Sequence, residues 1–216
     1  SSMNAGGYTV EASKSGYITA YFNVNVCGDL TSQNTNISEE LSSGTMRIVV
    51  HWAANSVAAV LDSHLTGPNN TTGRFHIYYN ASTAVTGSYG DPDNFYYHTN
   101  AYQCNSCTTA QASDNVSLDR DDMDGAPGTE TITVTKVRSG TYRYSVHDYT
   151  NRNNSSSTKL AESGTTVNVF YNNTQTTYNV PNSAGNLWVV FTFNGSTGVL
   201  TASDNMTAET NTNNIQ

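Results

Sequence analysis

Charge is scarce in this chain. Asp, Glu, Lys and Arg make up 12% of its 216 residues, about half the roughly 25% usual in soluble domains. The surface must therefore be built largely from neutral Asn, Ser and Thr. Positive charge is scarcer still, with 9 Lys and Arg against 17 Asp and Glu and a net charge of −8. No basic cluster is present to track phosphates, which argues against nucleic acid as a partner. No apolar run approaches the roughly 18 residues that a membrane helix needs. The N-terminus lacks a basic-then-apolar leader, so the expectation is a mature chain with no membrane insertion. Long 3.6-residue periodicity is also missing; "SVAAVLDSHL" (56–65) has room for one helical turn at most. Cysteine is limited to Cys27, Cys104 and Cys107, enough for one internal disulfide with one thiol left over.

What the chain does have is short strands bounded by Gly, Pro, Asn or Ser. They read as "YTVEA" (8–12), "YITAYFNVNV" (17–26), "TMRIVVHW" (45–52), "RFHIYY" (74–79), "NFYYHTNAY" (94–102), "ETITVTKV" (130–137), "TYRYSVHDY" (141–149), "TVNVFY" (166–171), "LWVVFTFN" (187–194) and a closing "GVLTA". In "LWVVFTFN" both faces are apolar, as in a strand buried on both sides. "TYRYSVHDY" alternates Tyr142, Tyr144 and Val146 against Arg143, Ser145 and His147, as in a half-exposed strand. Both kinds together predict an all-β, two-sheet β-sandwich of the Ig-like or jelly-roll-like kind. The 14 tyrosines suit it, because a ring covers apolar area while its hydroxyl stays wet.

The first 43 residues stand apart. In "GYITAYFNVNVCG", Ile18, Ala20, Phe22, Val24 and Val26 share one face, and Thr19, Tyr21, Asn23 and Asn25 the other. A hairpin across "SKSG" joins this strand to "YTVEA", but an isolated hairpin is marginal in water. It must dock on its own sandwich across a polar connection, or on a neighbour's. The expected organisation is a hairpin, or donor strand, and linker over 1–43, a sandwich over 44–204 and a polar tail over 205–216.

Ten Asn-x-Ser/Thr sequons occur, at Asn36, Asn69, Asn70, Asn80, Asn115, Asn153, Asn154, Asn172, Asn194 and Asn205. Chance gives about seven in so Asn-rich a chain, so position tells more than number. Most fall in stretches that read as loops, such as "GPNNTTG" and "NRNNSSST", where a glycan displaces no packing. An extracellular protein with N-linked glycans is the expectation.

"LDRDDMDGAPGTE" (118–130) concentrates Asp119, Asp121, Asp122, Asp124 and Glu130 in one turn-rich loop. Clustered carboxylates repel unless a cation sits among them, and hard oxygen ligands on a flexible loop suit Ca²⁺. Arg120 breaks the EF-hand spacing; a solvated acidic turn with Asx-type hydrogen bonds is the plainer alternative. In "VLDSHLTGP" (60–68), Asp62 and His64 fall on the same side of an extended stretch. Asp62 is a further candidate ligand, and His64 a candidate hydrogen-bond partner of one or simply a packed histidine. His51, His76, His98 and His147 lie on strands without zinc spacing.

"CNSC" (104–107) has neither the βαβ context of a redox site nor the second pair of a zinc site. It reads as a loop staple, Cys104 to Cys107 or one of them to Cys27. No GxSxG, HExxH, P-loop or dinucleotide motif is present. Asp91 and Asp93 in "GDPDN" suit turn chemistry better than a glycosidase pair. No catalytic residue is nominated, and a non-enzymatic protein is expected.

The ordered set "GTMRIVVHW", "LDSHLTGP", "RFHIYY", "LDRDDMDG…ETITV", "GTYRYSVHDY" and "LWVVFTFNG" resembles an uncharacterised secreted β-sandwich module of bacteria and protists, over about residues 44 to 202. Val60 stands where that module tends to carry Asp, which removes one ligand from this corner. "YTVEASKSGYITAYFNVNV…NISEEL" resembles the last strands of a carboxypeptidase-regulatory-like domain. The whole chain is similar to subunits of tubular, glycan-coated extracellular fibrils built by donor-strand exchange. That resemblance implies a helical homopolymer in which Ile18, Ala20, Phe22, Val24 and Val26 form the donor face. The alternative is a calcium-dependent adhesin-type module that binds surface glycans or peptides.

Overall fold

The computed structural model describes residues 4–28, 37–53, 58–68, 74–79, 96–97 and 116–216; the side chains of Phe22, Asn23, Asn25, Tyr96 and Tyr97 are not among those described. The described residues form thirteen strands: β1 (Gly6–Ala12), β2 (Ala20–Val26), β3 (Met46–Trp52), β4 (Leu61–Pro68), β5 (Arg74–Ile77), β6 (Tyr96–Tyr97), β7 (Val116–Arg120), β8 (Gly128–Val134), β9 (Thr141–Asp148), β10 (Thr166–Tyr171), β11 (Thr174–Asn179), β12 (Leu187–Asn194) and β13 (Val199–Thr207). Among the described residues there is no α-helix, and none long and apolar enough to cross a membrane.

β3 to β13 make a two-sheet sandwich. One sheet runs β11-β10-β3-β8-β7-β6 and the other β13-β12-β9-β4-β5. Strand alternation sends Met46, Ile48, Val50 and Trp52 from the first sheet, and Leu61, Leu65, Tyr142, Tyr144 and Val146 from the second, into one core. Gly128 lies where a Cβ would stand 1.8 Å from the Trp52 ring, so the indole fills the space that a side chain would take.

The strands expected from the sequence recur, apart from "NFYYHTNAY", of which only Tyr96–Tyr97 is described. Three others were not legible as strands. β4 was read as a short extended stretch, β7 as the start of the acidic loop, and β11, "TQTTYN", is almost entirely polar. β11 forms because Asn172 and Asn173, at φ 49° and 58°, make a two-residue reversal that returns the chain against β10.

The apolar run of β12 arises partly from a bulge. Between Val189 and Phe191 the register shifts against both neighbours, so Val190 and Phe191 both enter the core with Trp188 and Phe193. Its other face is covered as well, since Leu187 and Val189 are buried.

β9 departs from the expected half-exposed strand. Ser145 and His147 are buried on its outer face, because Tyr78 and the C-terminal segment lie over it. The Tyr78 hydroxyl donates to Asn213 Oδ1 at 2.5 Å, His147 Nε2 meets the Glu209 carbonyl at 2.9 Å, and Arg143 donates to the Gln216 carbonyl. Ile215, within this strap, is buried. The boundary expected at 204 therefore falls inside β13, and residues 205–216 belong to the sandwich.

β1 and β2 form a sheet of their own, paired from Gly6 with Val26 to Ala12 with Ala20. Its root is tied to the body: the Ile18 amide donates to the Ser38 carbonyl at 2.7 Å and the Glu40 amide to the Gly16 carbonyl at 2.9 Å. Ile18 packs on Val49 and Phe170, on the outer face of the six-stranded sheet. Beyond the root, Tyr8, Val10, Val24 and Val26 are half-buried and Tyr21 is 57% exposed.

Candidate metal centre

β4 is the element that assembles the site. At its Leu61–Ser63 end it pairs with β9 alone, because β5 joins only from Leu65 onward. The free edge exposes the Ser63 amide, and Glu130 fills the gap: projecting inward from β8 in the opposite sheet, its Oε2 accepts from that amide at 2.6 Å. Asp121, at the end of β7, joins them. One ligand atom each of Asp62, Asp121 and Glu130 lies within 4.8 Å of the others, all three side chains being buried.

Burial of three carboxylates together has an electrostatic signature. Glu130 is held well above the usual carboxylate range, first by burial, then by the charges of Asp62 and Asp121. Asp62 is likewise raised well above it, by burial and by Asp121, with Arg152 pulling the other way. Arg152 is held 4.0 Å over the Tyr149 ring. Such a trio either takes up protons or surrounds a cation, and its oxygen-only donor set is of the kind that Ca²⁺ takes.

Of the six candidate ligands in the sequence, the fold brings together Asp62, Asp121 and Glu130 and places three elsewhere. Asp119 follows the alternation of β7 to the outer face, just where the register shifts; there it accepts from Ser117 and Thr133 hydroxyls at 2.5 Å each. Asp122 pairs with Arg120 at 2.8 Å and accepts from the Thr129 amide at 3.0 Å. Asp124 is exposed, and its amide donates to Asp122. Asp122 thus acts as an Asx-type cap of its own loop, the plainer role for an acidic turn.

Two histidines adjoin the trio. His64 and Asp62 share the outer face of β4, and His147 stands opposite Asp62 on β9. One ligand atom each of Asp62, His64 and His147 again lies within 4.8 Å of the others, and all three are buried. His64 Nδ1 meets His76 Nε2 at 2.9 Å, and both rings stack on Tyr78. Burial lowers the pKa of His64 well below its ordinary value, with His76 and His147 adding to the effect. Burial likewise lowers that of His147, and takes His76 down to about 4. The rings are therefore neutral near pH 7. Sequence reading missed the approach of His147 to Asp62 and His64 because zinc spacing is sought along the chain; the signal it passed over was the pairing of two strands that each carry a histidine.

The five sequons within the described residues, Asn153, Asn154, Asn172, Asn194 and Asn205, all have exposed side chains. Asn36, Asn69, Asn70, Asn80 and Asn115 lie outside the described residues, as do Cys104 and Cys107. Cys27 is exposed. Of the donor-face residues, Ile18 and Ala20 are buried, Val24 and Val26 half-buried, and the Phe22 side chain is outside those described.

No protein-family model matches the chain, and neither does any curated protein or solved structure.

Proposed function

We propose that the chain is a structural subunit of an extracellular fibril, which polymerises by passing its N-terminal strand to the next subunit. The observation that carries this reading is the separateness of the β1–β2 sheet. It belongs to neither sheet of the sandwich, is fastened to its own body mainly around Ile18, and holds half-buried apolar side chains beyond that root. A two-stranded sheet gains little stability by itself, so a neighbour's surface is the natural place for its apolar residues. Strand addition satisfies open backbone groups and buries side chains together. Being head-to-tail, such a contact propagates as a helical filament.

Within that reading, the Asp62–Asp121–Glu130 trio holds a structural Ca²⁺ that clamps the two sheets at one end. The exposed sequons carry N-linked glycans on the filament surface. Negative-stain microscopy of the full chain beside a truncation lacking residues 1–26 tests the proposal. Filaments from the full chain only are expected; filaments from both, or from neither, would sink it.

A second reading rests on the groove at the hairpin root, lined by Tyr17, Thr19, Tyr21, Glu40, Asn173 and Gln175. Aromatic rings beside neutral amides suit a glycan or an extended peptide, as in an adhesin-type binding module. Saturable glycan-array binding by a monomer, abolished by Tyr21→Ala, would favour it.

A further inference from the structure

We infer that Asp62, His64 and His147 are the protein ligands of a divalent cation of the zinc class, a site that shares Asp62 with the calcium-type carboxylate trio but differs from it in chemistry. The argument begins with lone pairs. A carbonyl oxygen only accepts, so the 2.9 Å contact of His147 Nε2 with the Glu209 carbonyl requires the proton on Nε2. In the neutral ring, Nδ1 then carries a bare lone pair, and Nδ1 is buried with no hydrogen-bond partner. His64 has Nδ1 engaged with His76, while its Nε2 is buried and unpartnered. Asp62 Oδ2 is buried and unpartnered too.

Three side chains, at most 3% exposed, thus converge with an unsatisfied polar atom on each. Buried polar atoms are rarely left so, because an unpartnered one forfeits its hydration. A proton on one ring would serve that ring and one acceptor, and would leave the third atom without a partner. A cation satisfies all three at once. Two imidazoles and one carboxylate are poor ligands for Ca²⁺, which takes oxygen, and good ones for zinc and its neighbours. The surroundings match what such ligands need, since each imidazole has its other nitrogen held, one by a backbone carbonyl and one by a second ring. Three protein ligands leave a further position for water. The cation would tie β4 to β9 and, through His147, to the strap that carries Glu209.

The test uses the full chain, stripped with chelator, loaded with Zn²⁺ in millimolar Ca²⁺ and desalted. Elemental analysis is expected to find stoichiometric zinc in the wild type and in Glu130→Gln, and none above background in His147→Gln. His76→Phe, which removes only the ring that orients His64, should weaken zinc binding about 10- to 100-fold. Near-UV circular dichroism of each variant reports on folding. Because His147→Gln could unfold the chain, X-ray absorption on the zinc-loaded wild type provides an independent readout, with two imidazole nitrogens expected at about 2.0–2.1 Å. Wild type that keeps no zinc, a zinc shell without imidazole, or equal retention by folded His147→Gln would each overturn the assignment.

Discussion

Asp62 and His147 stand directly opposite each other on β4 and β9, so that a carboxylate and an imidazole face one another across an antiparallel ladder. Both side chains are buried, His147 under the strap whose Glu209 carbonyl meets its Nε2, and Asp62 beside Asp121 and Glu130 as well. The pairing explains how an outer sheet face, normally wet, comes to hold unsatisfied ligand atoms.

Glu130→Gln should abolish stabilisation by calcium. The substitution keeps the shape of the side chain and its acceptor for the Ser63 amide, but removes one of three charges. Calcium at 100 times its Kd should stabilise the wild type by about 2.7 kcal/mol, read as a rise in Tm by calorimetry. An equal rise in the variant would show that calcium binds elsewhere.

Gly128→Ala should destabilise the fold by about 1–3 kcal/mol through overpacking. Its added methyl would meet the Trp52 ring, which is fully buried and donates to the Ala59 carbonyl at 3.2 Å. Urea unfolding followed by Trp fluorescence measures the shift in midpoint; an unchanged midpoint would mean that the ring has room to move.

Ile18→Asp should release the hairpin without unfolding the sandwich. Ile18 belongs to a small cluster with Val49 and Phe170, separate from the main core. Hydrogen exchange at the Ile18 and Glu40 amides, whose acceptors are the Ser38 and Gly16 carbonyls, should accelerate while the amides of β9 and β12 keep their protection. Global loss of protection would show that the root is integral to the body.

Asn172→Val should cost about 1–2 kcal/mol, because a β-branched residue is forced into the left-handed region. Asn172→Gly should be neutral or better for folding while removing the sequon. Thermal denaturation of the unglycosylated protein separates the two; equal effects of Val and Gly would refute the backbone argument.

Much of this architecture was legible in the chain. Alternation marked most strands, because side chains on a strand must divide between two faces, and it grouped Ile18 with Ala20 and Tyr142 with Tyr144 and Val146. β12 is buried on both faces as its sequence predicts, although a bulge there sends Val190 and Phe191 into the core together; at β7 a bulge breaks the phase, and Asp119 turns away from Asp121. The acidic loop was recognised as a source of ligands, yet only Asp121 and Glu130 of its five carboxylates point inward.

By itself, then, the sequence determined the class: an all-β chain whose short alternating strands, sparse charge and polar turns admit a sandwich and little else, since local periodicity acts on neighbouring residues. Tertiary structure alone decided the site. Ser63 and Glu130 are separated by 67 residues along the chain, yet are joined by one hydrogen bond. His147 comes beside Asp62 and His64 only because β9 pairs with β4, and its Nε2 is held by the Glu209 carbonyl of a distant strap. Strand order and burial set which lone pairs meet, and neither is written in the spacing of residues along the chain.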